Sequence, residues 1–461
     1  MRTSIRRLSV RTILVLVMLS APHEAALSSD KSNAALSRTS LTNDSYRPFL
    51  INNVFNYYGN NGDGSHNPFS TNGQGFEFPK GSMKWVLYED GIVWGGYHKG
   101  RAVPKVGGSV YRHALQAGPL LSNGSTSTHP VPADPADPKN RVFRVRPDVR
   151  PDIPFTGVEE LLTAEEVPFI DRYEPVSARG LYEQYVADWN EWPAAHGAPF
   201  TDVDENGVYD PVVDIPGRPG ADQTLWYVAN DMDSTRTQYL AGCPPIGLEM
   251  QRTVWGYRRS GVLGNTIFVS TVLINKSGAP VDSMYIAQWA DPDLGFAGDD
   301  LVGCDTTLDL GYVYNGWATD HSFGTAVPAA GFAFLQGPMG QGTLADTATF
   351  LSSRRPGFTN LRMSAFTYFG SPCPDPAQGV NGDVQWSFLM RGKRPSSGTP
   401  FIDPNTNGTT VFCLSGDPVR ATDGSAGWVD GIGAHYPEDR RLVMVSGPFT
   451  LAEGDTQQVV V

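Results

Sequence analysis

Charged side chains are scarce in this chain. Asp, Glu, Lys and Arg make up 18% of its 461 residues. That scarcity excludes a coiled-coil or long-helix protein, whose surfaces are rich in Glu, Lys and Arg. Long apolar runs are lacking too. TILVLVMLSA, at 12–21, is about ten residues long, against the roughly 20 that a membrane-spanning helix needs. Basic residues are outnumbered, 35 to 48, for a net charge of −13. A negative field disfavours nucleic acid and anionic membrane as partners. The eight histidines are dispersed, with no pair at i, i+4, which excludes an HExxH zinc site. There is no GxSxG elbow, no Walker A motif and no GxGxxG following a strand. GPMGQG at 337–342 lacks the Lys-Ser/Thr of a phosphate loop and reads as a turn. Cysteine is limited to Cys243, Cys304, Cys373 and Cys413, with no CxxC spacing. In an exported chain an even count permits disulfides, in three pairings. Cys373–Cys413 is the favoured pair, because both lie in turn-rich segments beside strands; four buried thiols are the alternative.

Glycine, proline and aromatics are plentiful: 50 Gly, 36 Pro, 10 Trp, 18 Tyr and 22 Phe. This is the composition of short strands joined by many turns. The N-terminus places four arginines before the apolar run and small residues after it, at Ala21, Ala25 and Ala26. That is the order of a secretory signal. Residues 1–26 are therefore expected to be a signal peptide, and an uncleaved anchor is the alternative. After cleavage no transmembrane span is expected, and the remaining chain is more acidic still. Residues 27–45 read as a flexible lead-in and 46–157 as a β-rich region. Within the latter, 83–100 reads as a hairpin turning at Asp90-Gly91. NRVFRVRPDV at 140–149 alternates apolar and basic residues, predicting a strand with one buried face. Helices are predicted at 158–171 and 177–192, the second capped by Ser177 and stopped by Pro193.

From 223 to 461 the pattern is β throughout. Strands are predicted near 225–230, 248–257, 265–275, 284–290, 310–316, 331–335, 362–369, 384–391, 409–413, 441–447 and 456–461. A Leu-Gly-Asn link at 263–265 joins two of them. The expected fold is mainly β: an antiparallel sandwich of jelly-roll or supersandwich kind, with a short helical segment and long loops. The chain stops at QQVVV, within a predicted strand, so a further C-terminal segment is expected.

The chemistry concentrates in two acidic stretches. DVDENGVYDPVVD, 202–214, follows the second helix. Calcium takes six to eight oxygens, which alternating carboxylates and carbonyls around a glycine turn can supply. Asp202, Asp204 and Asn206 stand at loop positions 1, 3 and 5, Gly207 at 6, the Val208 carbonyl at 7 and Asp210 at 9. Position 12, the bidentate acid of an EF-hand, is Val213, and Asp214 comes one place late. No second helix follows, which excludes an EF-hand. The loop resembles the stand-alone calcium loops of dockerins and thrombospondin-type repeats. An Asx-turn loop with solvated carboxylates is the alternative. The second stretch, 290–311, carries Asp291, Asp293, Asp299, Asp300, Asp305 and Asp309. Such crowding requires neutralisation, and no basic residue lies between Lys276 and Arg354. A structural calcium ion is expected there, on Asp291, Asp293, Asp299, Asp300 and Asp305. Arginines brought by the fold, or a substrate cleft, are the alternatives. A third reading would set Glu249, Asp299 and Asp300 with Trp255, Trp289 and Trp317 in a glycosidase cleft.

Several phrases carry a resemblance: GAPFTDVDENGVYDPVVDIPGRPGADQTLWYVANDMD (197–233), GLEMQRTVWGY (247–257), QWADPDLGFAGDDLVGCDTTLDLGYVYNG (288–316), GDPV (416–419) and DRRLVMVSGPFTLAEGDTQQVVV (439–461). Together they resemble uncharacterised secreted β-rich proteins of Gram-negative bacteria, many of which end in a type IX secretion sorting domain, one that this chain does not show. The resemblance implies residence at the cell surface or outside the cell, and it implies no catalytic residues. The sequence-based expectation is thus an exported, calcium-stabilised β protein with a binding or structural role and no assigned catalysis. Its partner is expected to be an extracellular glycan or a cell-surface component. A secreted polysaccharide-acting hydrolase or carbohydrate-binding module is the alternative.

Overall fold

Gly91, the expected hairpin turn, lies in the middle of a fourteen-residue strand, Trp85–His98. A Cβ there would stand 2.2 Å from the Ser109 carbonyl oxygen and 2.8 Å from Trp289 Nε1. The glycine therefore serves a close approach of neighbouring backbone, not a turn. In the computed structural model, residues 44–70, 73–121, 130–421, 426–433 and 436–461 are described. The expected signal peptide, and all of the expected lead-in before residue 44, lie outside them.

Two six-stranded antiparallel sheets form the frame. The strands are β1 (Phe76–Glu77), β2 (Trp85–His98), β3 (Lys105–Gly108), β4 (Gln116–Ala117), β5 (Phe143–Val145), β6 (Gln223–Asn230), β7 (Leu248–Gly256), β8 (Phe268–Asn275), β9 (Val281–Pro292), β10 (Met363–Phe369), β11 (Arg441–Leu451) and β12 (Thr456–Val460). One sheet has the order β12-β8-β7-β6-β4, with β5 also on β6; the other runs β10-β11-β9-β2-β1, with β3 also on β2. The chain changes sheets between β8 and β9 and returns between β11 and β12. Apolar side chains from both sheets, among them Trp94, Leu225, Met250, Ile286 and Met444, meet in one buried cluster. The structure is therefore mainly β, with two packed antiparallel sheets. Residues of 46–157 contribute strands to both sheets, and 42–461 form one compact unit.

Among the described residues, four helices of eight residues or more decorate this frame: α1 (Phe155–Glu165), α2 (Ala178–Asn190), α3 (Ser234–Ala241) and α4 (Gly382–Leu389). Ser177 caps α2, its hydroxyl accepting the Gly180 N–H at 3.1 Å. Helix α4 replaces the strand expected over 384–391. Trp386 and Leu389, three apart, are buried on one of its faces, a spacing that suits a helix. The expected strand at 140–149 shortens to β5, and both of its faces are buried. Arg144 and Arg146 are enclosed, not solvated, because Glu166 lies between them. Burial alone would push the Glu166 carboxyl up, but Arg144 and Arg146 beside it hold it below the usual carboxylate range. All four cysteines are buried free thiols, so the Cys373–Cys413 bridge is not formed. Cys304 Sγ donates to the Cys413 carbonyl at 3.4 Å.

Candidate functional site

The acidic loop at 202–214 is built from helix α2 outward. The last turn of α2 buries Trp189, whose Nε1 donates to the Pro211 carbonyl at 3.0 Å. Tyr209 Oη donates back to the Trp189 carbonyl at 2.7 Å. Strands Phe200–Thr201 and Ile215–Pro216 pair and close the base of the loop. Phe200 and Tyr209 pack against a cluster that includes Trp192, Trp226 and Val228, so the loop is fastened both to the helix and to the outer face of β6.

Inside that clasp, oxygens of Asp202, Asp204 and Asp214 all lie within 4.8 Å of one another. Calcium–oxygen distances are about 2.3–2.6 Å, so ligands on opposite sides of one ion stand roughly 5 Å apart. The three carboxylates therefore fit a single divalent cation. Asp214 is the residue that counting had left one place late. The structure brings it in by a turn at 210–214, where the Asp214 N–H donates to the Asp210 carbonyl at 2.7 Å. Its Oδ1 accepts from Val203 N at 2.9 Å and its Oδ2 from Asp210 N at 2.8 Å. Asp202 accepts from the Asn206 and Gly207 amides at 3.1 and 2.7 Å. Glu205 and Gly207 have φ of 60° and 79°, which allows the sharp turn. Asn206 faces inward through its Nδ2, bonded to Asp204 Oδ2 at 2.7 Å, and its amide must turn to offer oxygen to a cation. Val208 is 69% exposed. Asp210 spends Oδ1 on the Val212 N–H at 2.9 Å and is not among the three converging carboxylates.

The second acidic stretch divides. Asp291 and Asp293, at the end of β9, meet Asp439 with oxygens within 4.8 Å of one another, all three buried. Arg441 reaches Asp291 Oδ1 at 3.1 Å and Asp439 Oδ2 at 3.2 Å, so an arginine brought by the fold supplies part of the neutralisation. Asp300 is buried beside them. Its Oδ2 accepts the Leu294 N–H at 3.0 Å, while Oδ1 has no hydrogen-bond partner. Burial, and then the charges of Asp293, Asp299 and Asp439, push its carboxyl well above the usual range. Asp299 lies in the short turn before the strand Asp300–Asp305. Asp305 ends that strand and is not drawn in: its Oδ1 accepts from Thr307 N at 2.8 Å and from Leu308 N at 3.2 Å, closing a turn. Asp309 pairs with Arg362 at 2.9 Å.

Other buried groups have no strong signal in the sequence. Glu89 stands opposite Asp291 in the β2–β9 register. Burial, then the charge of Asp63, pushes Glu89 well above its usual range. Asp63 itself is raised to about 6, chiefly by burial, and accepts from Ser109 Oγ at 2.7 Å and Tyr46 Oη at 3.1 Å. Nearby, Tyr111, Arg112 and Ala114 have φ of 50°, 65° and 85°. Such left-handed non-glycine residues gather where tertiary packing over-determines the backbone. The run NNGDGSHN at 60–67 that supplies Asp63 looks like a surface turn, yet it is wholly buried.

A groove of about 770 Å³ crosses the outer face of the first sheet. Arg218, Gln251, Thr253, Trp255, Ser270 and Gln458 are among its lining residues, and no Asp or Glu is. The glycosidase constellation is not assembled around it. Glu249 bonds to Lys276 and the Leu120 N–H, Trp289 is enclosed with its Nε1 on the Ser109 carbonyl, and Asp299 and Asp300 lie near Asp293 and Asp439. No family model, curated protein or solved structure matches this chain.

Proposed function

We propose that this chain is an exported, calcium-stabilised β protein of the cell surface or extracellular space, with a binding or structural role. The convergence of Asp202, Asp204 and Asp214 carries the reading. Three carboxylates held at ion-sharing distance repel one another in the absence of a cation, and a divalent ion removes that repulsion. Calcium suits the all-oxygen donor set and the irregular loop better than zinc, which favours nitrogen and sulfur. The export half rests on the charged, apolar, small-residue order of residues 1–26 and on the resemblance to secreted β-rich proteins of Gram-negative bacteria, many of which carry a type IX secretion sorting domain.

The groove on the first sheet favours a second reading, a glycan-binding module. Side-chain amides and hydroxyls beside Trp255 and Arg218 suit sugar hydroxyls and ring faces. Hydrolysis requires two carboxylates across the bond to be cut, and none lines this groove, so binding is favoured over cleavage.

Purified protein melted in millimolar calcium and in EDTA tests the cation reading. Calcium should raise the melting temperature, since a ligand at 100 times its Kd stabilises by about 2.7 kcal/mol. Superimposable melting curves would end it. A glycan array read with and without calcium tests the partner, and turnover of any polysaccharide would restore the hydrolase.

A further inference from the structure

The groove on the first sheet is polar and nearly uncharged. Its floor is the outer face of β7, β8 and β12, where alternate residues point away from the core. Gln251, Thr253 and Trp255 come to it from β7. Arg218 is the one charged side chain among its described lining residues. Arg218 is exposed, and its guanidinium carbon stands 5.3 Å from the centroid of the Trp255 ring. Cation and indole attract each other, which holds the guanidinium beside the groove. Arg218 Nη1 donates to Ser352 Oγ at 3.2 Å. Ser352 lies at the tip of a hairpin whose paired strands are Thr347–Phe350 and Ser353–Pro356. Nε and Nη2 make no hydrogen bond with the described residues, and no described carboxylate pairs with Arg218. The enclosed Arg144, Arg146 and Arg440, by contrast, each face a carboxylate.

We propose that this groove binds a carboxylate-bearing oligosaccharide, with Arg218 selecting the charged sugar over its neutral counterpart. The inference rests on the glycan-binding reading of the groove and narrows it to one class of sugar. A chain of net charge −13 repels anions over most of its surface. The groove's described lining carries no acid and one positive charge, so an anionic ligand is tolerated there. The Nε–Nη2 edge of an arginine presents two parallel N–H groups that match the two oxygens of one carboxylate. The Gln251 amide and the Thr253 and Thr349 hydroxyls can bond to ring hydroxyls. A volume of about 770 Å³ has room for a short chain of sugar rings. The floor is a sheet face, which offers no strand edge for an extended peptide to pair with. Calcium at the acidic loop is not required for this recognition.

Calorimetry on the full chain tests it, in EDTA and low salt, with trigalacturonate, its methyl ester and triglutamate as probes. Trigalacturonate should bind about tenfold more tightly than the ester, the worth of roughly one charge-assisted contact partly open to water. Arg218→Gln should remove that advantage and leave the ester's affinity unchanged. Salt near 1 M, where the Debye length is about 3 Å, should shrink the advantage in the unaltered chain, a reading that needs no variant. Equal affinity for acid and ester overturns the inference and leaves the groove a neutral-glycan site. Absence of binding by both sugars overturns it as well, and the glycan array then decides the broader reading. An advantage undiminished in Arg218→Gln places the carboxylate elsewhere and overturns it. Triglutamate bound as tightly as trigalacturonate would show an anion site without sugar recognition, which also overturns it.

Discussion

Asp202 and Asp214 stand at opposite ends of the acidic loop, and their carboxylate oxygens lie within 4.8 Å of each other. What joins them is the turn at 210–214 together with the paired strands Phe200–Thr201 and Ile215–Pro216. The turn and the strand pair hold the two ends of the loop together, so protein contacts position the trio.

Asp204 separates the cation's contribution from that of the loop itself, because it is exposed. Asp204→Ala should change the melting temperature in EDTA only slightly, within the roughly 0.5 kcal/mol of an ordinary surface change. The calcium-induced rise should nevertheless disappear. A rise of undiminished size in Asp204→Ala would place the cation elsewhere, with Asp291, Asp293 and Asp439 the next residues to replace.

Glu166 ties the helical segment to β5. It accepts from Arg146 Nη1 at 2.6 Å and Tyr185 Oη at 2.8 Å. Glu166→Gln should lower stability to denaturant by about 3–5 kcal/mol, since it leaves buried guanidinium charge unopposed. A loss below 1 kcal/mol would show that water reaches the pair.

The pH response has two opposed parts. Asp63 titrates in the fold near 6, above its ordinary 3.8, owing mainly to burial. Its contribution is fully present below about pH 4 and is lost as pH rises through 6. Glu166 is held below its ordinary range, so its contribution is present at neutral pH and is lost as pH falls. In EDTA, Asp63→Asn should flatten the decline in stability between about pH 4 and 6 and leave the acid limb unchanged. Identical slopes for the variant and the parent would sink this assignment.

Burial pushes the thiols up, Cys243 to about 11 and Cys304 and Cys373 to about 12. A thiol is reactive as the thiolate, so none should react with iodoacetamide at pH 8 in the native protein. All four should react in denaturant without reductant. A count of two there would establish a disulfide.

Much of the β architecture was legible in the sequence, because each sheet has one face in the shared core. β7 and β8, joined through 263–265, carry long β-branched and aromatic runs with turn residues between them. Helix α2 announced itself through Ser177, its apolar spacing and Pro193. Where the reading failed, a tertiary contact had changed the meaning of a local signal. Asp90-Gly91 is turn chemistry, yet it lies mid-strand because Ser109 and Trp289 crowd the position. Arg144 and Arg146 have the spacing of a solvated face and are buried because Glu166 is there.

By itself the sequence determined the strand content, the two strongest helices and the placing of carboxylates at calcium-loop intervals, since all of these depend on neighbours a few residues apart. Only the tertiary structure decided which carboxylates meet. Asp214 joins Asp202 and Asp204 through a turn that no spacing rule encodes. Asp439 and Arg441 reach Asp291 from about 150 residues away. Asp305, inside the same acidic run, stays apart. Charges meet according to how strands pair, and that pairing is set by which apolar faces the two sheets bury against each other.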